Sequence, residues 1–523
     1  MRRGIFKKSR NWLKAFIRSD NFKHFLCFLA LLTVAYMGFL NQTIISDNIT
    51  GRMERYDSEN IIEFMNEGAT AINGRWGNIT YYLVHKPLSL LGFNYIHNQW
   101  VYFAIDITVF AIALTITYEV FQKLINRKKA KLPLFFAIAL MAVNAFMVDG
   151  ASFLIPSHPQ AMLCTALVLY FITSKRRYRY LIASIFALGA IVTYQSYYAP
   201  ILILGTLAIY IQNKDKLNKQ FAVNLAKLFG ITGASVIIQL LSTKIYCKLA
   251  GIGEAKSTSF TLSISKNLQK LYKAWESASG YLARGFGIYH LQNILIIVLV
   301  LLLVFIAIAI IHQHNYSKIP FNIIFICAAI IIPILYTIAA DNVYFAARIL
   351  VGYFTVIAAI AILAIYQTPK DWNYPILAYG LAIFVAINVF HIASLITDIQ
   401  ISNRVEMAEL RLIQNRIENY ESQSEQEITK VYVYNADYGI RDFSKLNTNH
   451  PDNTYYSSHQ LLAAPWSDVN SLNRVMGRNF ERIQMSEATF KEKFPNHEQT
   501  DMKYFDPDER LAFDKGVLYW IAY

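Results

Sequence analysis

Charged residues are scarce in this chain. Only 16% of its 523 residues are Asp, Glu, Lys or Arg, whereas 55% are hydrophobic, and many of these stand in uninterrupted runs. This composition excludes a single soluble domain. Runs of roughly 20 apolar residues are long enough to cross a bilayer as helices, which satisfy their own backbone hydrogen bonds. The sequence therefore predicts an all-α polytopic membrane protein.

Cysteines and cofactor motifs are lacking as well. The chain has four Cys and no CxxC spacing, which argues against a disulfide framework or a zinc site. It has no HExxH, Walker loop, GxGxxG or credible Asp-x-Asp signature, so neither a metal, a cofactor nor a nucleotide-sugar donor is indicated. The net charge of +14 does not indicate nucleic acid, because the basic residues cluster at the ends of apolar runs and no nucleic-acid motif accompanies them.

The apolar runs predict about eleven transmembrane helices. They lie near 23–45, 98–122, 132–148, 159–174, 180–197, 199–212, 220–243, 291–312, 321–338, 345–366 and 374–397. Three basic connections, 122–132, 173–180 and 212–220, fall on the same side as the amino terminus, and the positive-inside rule makes that side cytoplasmic. The predicted domains are a basic amphipathic amino terminus over 1–22, a transmembrane domain over 23–398 with outer loops 46–97 and 244–290, and a soluble domain over 399–523 on the outer side.

The polar tail predicts a small α/β domain. A helical stretch over 400–427 precedes the sequence VYVYN at 431–435. The β-branched and aromatic residues of that sequence are typical of a strand. We expect this domain to close on the final GVLYWIAY.

The first outer loop is unusually acidic for a segment beside a membrane. If Ser58 caps a helix, its next acids recur every four residues and form a solvated helix face. These acids are Glu59, Glu63 and Glu67. Asp57, directly before the cap, and Arg75, after the helix, lie outside that face. They are the better candidates for chemistry.

Four short motifs, taken in order, resemble the Gtr family. They are Tyr-Asp-Ser at 56–58, Gly-Arg-Trp at 74–76, Tyr-Gln-Ser at 194–196 in a mid-chain helix, and Arg-Ile-Leu-Val-Gly at 348–352. The Gtr proteins are O-antigen glucosyltransferases, best known from serotype-converting phages and prophages, and the resemblance covers roughly 25–370. It implies a GT-C-like enzyme of the bacterial inner membrane. Such an enzyme takes glucose from a polyprenyl-phosphate donor and adds it to lipopolysaccharide O-antigen on the periplasmic side, where the C-terminal domain would also lie.

Glycosyl transfer of this kind needs a carboxylate base, because a sugar hydroxyl is a poor nucleophile. Asp57 is the predicted base, and Asp47 and Glu54 are its rivals. A cation must also stabilise the phosphate that leaves. Arg75 and Arg348 are the candidates for that contact. Two lysines of the 244–290 loop, Lys266 and Lys270, would extend the positively charged entrance to the donor site.

Each arginine also has a structural interpretation, since it could pair with an acid such as Asp57 or Asp341 or reach the lipid headgroups. Four further residues are candidates for substrate binding: Trp76, His158, Tyr194 and Gln195. An interfacial aromatic belt would equally explain the tryptophan, a capping role the histidine, and helix-to-helix hydrogen bonding the Tyr-Gln pair.

Two other functions remain open from the residues alone. A flippase or transporter of lipid-linked sugars would place charges at mid-membrane and show repeats with interrupted helices. An O-antigen polymerase or ligase would use the same compartment and would concentrate its functional residues in a large later loop. The acids of this chain instead lie in the first outer loop, which favours the transferase.

Overall fold

The computed structural model describes most of the chain. The described residues are 19–40, 61–66, 73–93, 98–144, 146–148, 157–251, 269–270, 294–339, 351–369, 372, 374–434, 462, 467–497 and 505–522. They fall into two compact units. The described residues within Met1–Met37, Asn60–Leu91 and Trp100–Ala393 form one, called the helical unit. The described residues within Gly38–Glu59, Gly92–Gln99 and Ser394–Tyr523 form the other, called the C-terminal unit.

Helices account for most of the described residues. In chain order they are α1 (Asp20–Tyr36), α2 (Ile61–Asn66), α3 (Ile79–Leu90), α4 (Gln99–Ile125), α5 (Lys131–Ala139), α6 (Ser157–Thr173), α7 (Arg179–Thr193), α8 (Tyr198–Gln212), α9 (Lys219–Ala250), α10 (Ile294–His312), α11 (Ile319–Ala339), α12 (Gly352–Gln367), α13 (Tyr374–Ser424), α14 (Asp468–Met476), α15 (Glu487–Lys493) and α16 (Pro507–Arg510). The strands are β1 (Lys430–Tyr434), β2 (Glu481–Gln484), β3 (Leu511–Asp514) and β4 (Val517–Ile521).

Among the described residues, six helices are long and apolar enough to cross a membrane. They are Asp20–Leu40, Gln99–Ile125, Lys219–Ala250, Ile294–His312, Tyr316–Leu335 and Tyr374–Ser424. Arg179–Thr193 and Gly352–Gln367 are apolar but shorter. At about 1.5 Å per residue, such short helices fall short of a hydrocarbon core about 30 Å thick. The count of about eleven spans stays a prediction.

Helix α9 shows the pattern expected of a helix that faces lipid. Its buried positions recur at helical spacing and are mostly polar, including Thr232, Ser235, Gln239 and Thr243. Its exposed positions include large apolar side chains: Ile237, Ile238, Leu241 and Ile245. Lipid favours this arrangement, because exposed apolar side chains contact the hydrocarbon and polar side chains are removed from it.

Helix α12 forms the centre of the helical unit. All of its residues except Tyr366 are buried, and it packs against α5, α8, α10 and α11. A helix that is apolar on every side is expected in such a position. Its start approaches α11 closely, since a Cβ added to Gly352 would lie 3.1 Å from Pro333.

Two predicted helix boundaries are wrong. The helix predicted over 132–148 ends at Ala139. Beyond that point, the Asn144 amide nitrogen donates to the carbonyls of Leu140 and Met141, and its oxygen accepts from the Met147 backbone N–H. A side chain that competes for backbone groups in this way interrupts the helix. The predicted helices 374–397 and 400–427 are one helix of 51 residues, α13, because a change from apolar to polar composition does not break a helix.

The C-terminal unit contains a four-stranded sheet in the order β2-β1-β4-β3. Strand β1 runs parallel to both β2 and β4, and β3 pairs antiparallel with β4. Alternate residues, such as Val431 and Trp520, bury one sheet face against Leu410 and Ile413 of α13. This sheet confirms that the tail contains strands, as the VYVYN sequence predicted.

A buried ion pair ties the sheet of the C-terminal unit to α14. The Arg482 guanidinium makes two hydrogen bonds of 2.8 Å to the Asp468 carboxylate, whose side chain is fully buried. Burial raises the pKa of Asp468 even though Arg482 acts in the opposite direction. The pair fixes the start of α14 against β2.

Candidate functional site

The Gly-Arg-Trp segment is clamped between two helices. Gly74 has a positive φ of 68°, and a Cβ there would lie 1.9 Å from Gln239 Nε2 of α9. A Cβ on Gly77 would lie 2.6 Å from Thr193 Oγ1 and 2.9 Å from the Thr193 backbone nitrogen at the end of α7. The first position therefore favours glycine for its positive φ, and the second for its close approach to the backbone of Thr193. The backbone between them, which carries Arg75, is therefore packed closely against both helices.

The Tyr-Gln-Ser motif lies in a break between α7 and α8, and the prediction that it lies within a helix is wrong. Tyr194 has extended backbone (φ −153°, ψ 113°), and Gln195–Tyr197 forms a single 3-10 turn. The cause is Pro200, which lacks an N–H and whose ring would clash with the carbonyl four residues earlier in a continuous helix. In this break, the side chains of Tyr194 and Gln195 contact the segment around Arg75.

Arg75 lies against the side chains of this break. Its guanidinium carbon is 4.6 Å from the centre of the Tyr194 ring, and its Nε donates to Gln195 Oε1 at 3.5 Å. The Gln195 amide in turn donates to the Asn73 carbonyl. No acidic partner of Arg75 occurs among the described residues. The Tyr194 ring and the Gln195 amide therefore orient the Arg75 guanidinium but do not neutralise its charge.

His158 completes this group of predicted residues. It is buried at the start of α6, and its ring centre lies 4.3 Å from that of Tyr194. Its Nδ1 is 3.3 Å from the hydroxyl of Tyr197. Four residues predicted separately from the sequence, Arg75, His158, Tyr194 and Gln195, therefore share one site.

Trp76 is anchored on the side facing α9. Its indole N–H donates to Ser242 Oγ at 2.9 Å. The neighbouring Gln160 of α6 donates to the Gly77 carbonyl at 3.3 Å and to Thr193 Oγ1 at 3.1 Å. Helices α6, α7 and α9 thus hold one strip of chain, Asn73–Asn78. We call this strip, together with the side chains that contact it and the break Tyr194–Tyr197, the Arg75 layer.

The other predicted site residues cannot be located in this layer. Most lie outside the described residues: Asp47, Glu54, Asp57, Lys266 and Arg348. Lys270 is described and is half-buried. Of the predicted surface helix after Ser58, the structure describes the six-residue α2. Of the predicted outer loop 244–290, the structure describes 244–251, at the end of α9, and 269–270.

The sequence interpretation missed several polar residues of the Arg75 layer. Asn78, Ser196 and Gln239 are all at most 8% exposed. A signal for one of them was present, because Gln239 interrupts an apolar run, and a buried amide in a span requires a polar partner. Outside the layer, Asp106 in α4 was also missed; its carboxyl group is 8% exposed and has no hydrogen bond to its Oδ1 among the described residues. An unpaired acid inside an apolar helix is itself a signal of function.

The geometry of the layer fits the binding of an anion that carries hydroxyl groups. A guanidinium with free N–H groups donates two parallel hydrogen bonds to phosphate, and the surrounding amides and hydroxyls match a neutral polar ligand. Among the described residues, no group of three or more His, Cys, Asp or Glu side chains is arranged to hold a metal ion.

Comparison with known protein families gives a match. A family model described as Glucosyl transferase GtrII covers residues 49–366, well over half of the chain. The matched range includes the whole Arg75 layer and begins just after Asp47. No curated protein and no solved structure matches the chain.

Proposed function

Because this chain belongs to the glucosyl transferase GtrII family, we propose that it moves glucose from a polyprenyl-phosphate donor to lipopolysaccharide O-antigen. The motif resemblance to the Gtr proteins is confirmed, and the chain is a glycosyltransferase of the membrane-helix type. Such an enzyme uses a sugar donor and an acceptor. The family assignment favours transfer of the sugar over transport of a lipid-linked sugar or polymerisation.

The observation that carries this proposal is the environment of Arg75. Its guanidinium is held at 4.6 Å from the Tyr194 ring and lacks an acidic partner among the described residues. A lipid phosphate would neutralise it with two charge-assisted hydrogen bonds. Arg348, Lys266 and Lys270 are proposed as further contacts with the phosphate, and Trp76, His158, Tyr194 and Gln195 as contacts with the substrate.

The proposed reaction is a single inverting displacement. The Asp57 carboxylate takes the proton of an acceptor hydroxyl while that oxygen forms a bond to the anomeric carbon of the donor. The bond from that carbon to the phosphate oxygen breaks, and polyprenyl phosphate leaves with the electron pair and is stabilised by Arg75. We place this reaction at the periplasmic face of the bacterial inner membrane, in a GT-C-like fold of about eleven spans with the tail in the periplasm.

The experiment that tests this proposal is Asp57→Asn in purified enzyme supplied with both substrates. Loss of the base should lower turnover at least about 100-fold, and donor binding should persist because the amide keeps the shape of the side chain. Transfer of labelled glucose from lipid to glycan measures turnover, and binding of labelled donor measures affinity.

The matched controls are Asp47→Asn and Glu54→Gln, each of which also replaces an acid of the same loop by its amide. Both should retain turnover. If Asp57→Asn works at the normal rate, Asp57 is not the base. If the wild-type enzyme transfers no glucose from polyprenyl phosphate, the donor class is wrong.

A further inference from the structure

Four buried polar atoms of the Arg75 layer have no hydrogen-bond partner among the described residues. They are Asn78 Oδ1, Tyr194 Oη, Ser196 Oγ and Gln239 Oε1. Their residues are 8%, 2%, 7% and 0% exposed, respectively. Buried polar atoms in folded proteins are nearly always satisfied, because leaving one unpaired loses its hydration without replacement. Several such atoms in one layer indicate that a ligand supplies the partners.

The residues that carry these four atoms lie in or close to the strip Asn73–Asn78. Asn78 ends the strip, and Gln239 donates its amide to the Gly74 carbonyl at 3.3 Å. The Tyr194 ring lies under Arg75. Ser196 follows Gln195, which contacts both Asn73 and Arg75. Asn78 therefore belongs to the strip, Gln239 and Tyr194 contact it directly, and Ser196 is the sequence neighbour of a residue that does.

The chemistry of these atoms selects the ligand. Because the Gln239 nitrogen donates to Gly74, its oxygen faces away from that bond and can only accept. The amide oxygen of Asn78 likewise accepts. An ionised phosphate has no hydrogen to donate to such acceptors, whereas every hydroxyl of a sugar has one. The Tyr194 and Ser196 hydroxyls can both donate and accept, which suits the oxygen atoms of the same sugar.

We propose that Asn78, Tyr194, Ser196 and Gln239 form the subsite that recognises the hydroxyl groups of the donor hexose. This inference rests on the proposed function, in which Arg75 holds the donor phosphate. In a glycosyl phosphate the phosphate is bonded directly to the anomeric carbon, so the sugar ring must lie beside the cation. The subsite occupies that neighbouring position.

The test compares the affinity of the enzyme for glucosyl polyprenyl phosphate with its affinity for bare polyprenyl phosphate. Tyr194→Phe and Ser196→Ala each remove one hydroxyl and keep the packing. Each should weaken binding of the glucosylated lipid roughly fivefold to tenfold and leave binding of the bare lipid unchanged. Arg75→Ala should weaken binding of both lipids.

Tyr118→Phe is the matched control. It also removes a tyrosine hydroxyl from a helix of the same unit, one that contacts the Lys131 carbonyl at 3.4 Å. It should change neither affinity. Thermal unfolding of Tyr194→Phe should match that of the wild type, since its hydroxyl bonds to no described residue.

Deoxygenated donors identify the contact. A donor that lacks the hydroxyl bound by Tyr194 should bind wild type and Tyr194→Phe equally, because the lost interaction is the same. If both variants bind the glucosylated lipid as tightly as the wild type does, or lose both lipids in parallel, the subsite is wrong. If the wild type binds the glucosylated and the bare lipid with equal affinity, the proposed donor is wrong, and the proposed subsite is wrong as well.

Discussion

Buried polar side chains are satisfied differently at two places in the helical unit. In the first, Asn322 of α11 and Gln367 of α12 exchange two amide hydrogen bonds of 3.1 and 2.8 Å. Arg127 donates to the Thr368 carbonyl at 2.6 Å and to the Tyr374 hydroxyl at 3.0 Å. We call this the Gln367 network. In the second, the Arg75 layer, the cation has no acidic partner and four buried polar atoms have no hydrogen-bond partner among the described residues.

The comparison separates structural polarity from functional polarity. A buried amide pair with both partners present joins helices and needs nothing further. A buried layer with unpaired acceptors beside a cation is costly for the protein alone and becomes satisfied only when a ligand arrives. The same residue types thus serve two purposes, and their hydrogen-bond partners show which purpose applies.

Replacing Arg75 should produce the greatest loss of activity. Arg75→Ala removes the cation that stabilises the leaving phosphate, and turnover should fall on the order of 100-fold to 1000-fold. Arg75→Lys keeps the charge but loses the planar pair of donors, so it should retain part of the activity. Transfer of labelled glucose measures both. Arg176→Ala, which removes an exposed guanidinium stacked near Phe171, is the control and should be fully active. Normal turnover of Arg75→Ala would break the distinction between the two places.

A second test moves the layer without changing its chemistry. In Gly77→Ala, the new methyl group would meet Thr193 Oγ1 at 2.6 Å and the Thr193 nitrogen at 2.9 Å. The strip must shift away from α7, so turnover should fall about tenfold or more, since small displacements of positioning groups are costly. Gly230→Ala is the control, because nothing lies within 4 Å of its added Cβ. Equal turnover of both variants would show that the position of the strip does not matter.

The helices were largely predictable from sequence, because hydropathy is a local property. The predicted runs 98–122 and 291–312 correspond to Gln99–Ile125 and Ile294–His312. The break at Tyr194 was not predicted, since the apolar run continues past it and Pro200 acts on the turn before it. The continuity of α13 was missed because the change in composition at its middle suggested a boundary.

The candidate site was predictable only in part. Arg75, His158, Tyr194 and Gln195 were singled out by their residue types and motifs, and the structure brings them together. Asn78, Ser196 and Gln239 were not, because an unpaired atom is a property of three-dimensional surroundings. The role of Asp57 stays a prediction, since it lies outside the described residues.

Substitutions in the Gln367 network should have the least effect on activity. They should instead change the stability of the protein. Asn322→Ala leaves the Gln367 amide buried without its partner, which should cost about 1–2 kcal/mol. The double variant Asn322→Leu with Gln367→Leu removes both partners and should recover most of that loss, because two apolar side chains of similar size leave no polar atom unsatisfied. Resistance of the membrane-embedded enzyme to thermal inactivation measures the change.

Turnover per folded molecule should stay normal in both variants of the network. A substitution in the Arg75 layer should have the opposite effect. Tyr194→Phe removes an unpaired hydroxyl, so it should leave stability unchanged and reduce the affinity for the donor. If the double leucine variant instead lost turnover at normal stability, the Gln367 network would also serve the reaction. The presence or absence of protein partners would then no longer distinguish a structural polar cluster from a binding site in this fold.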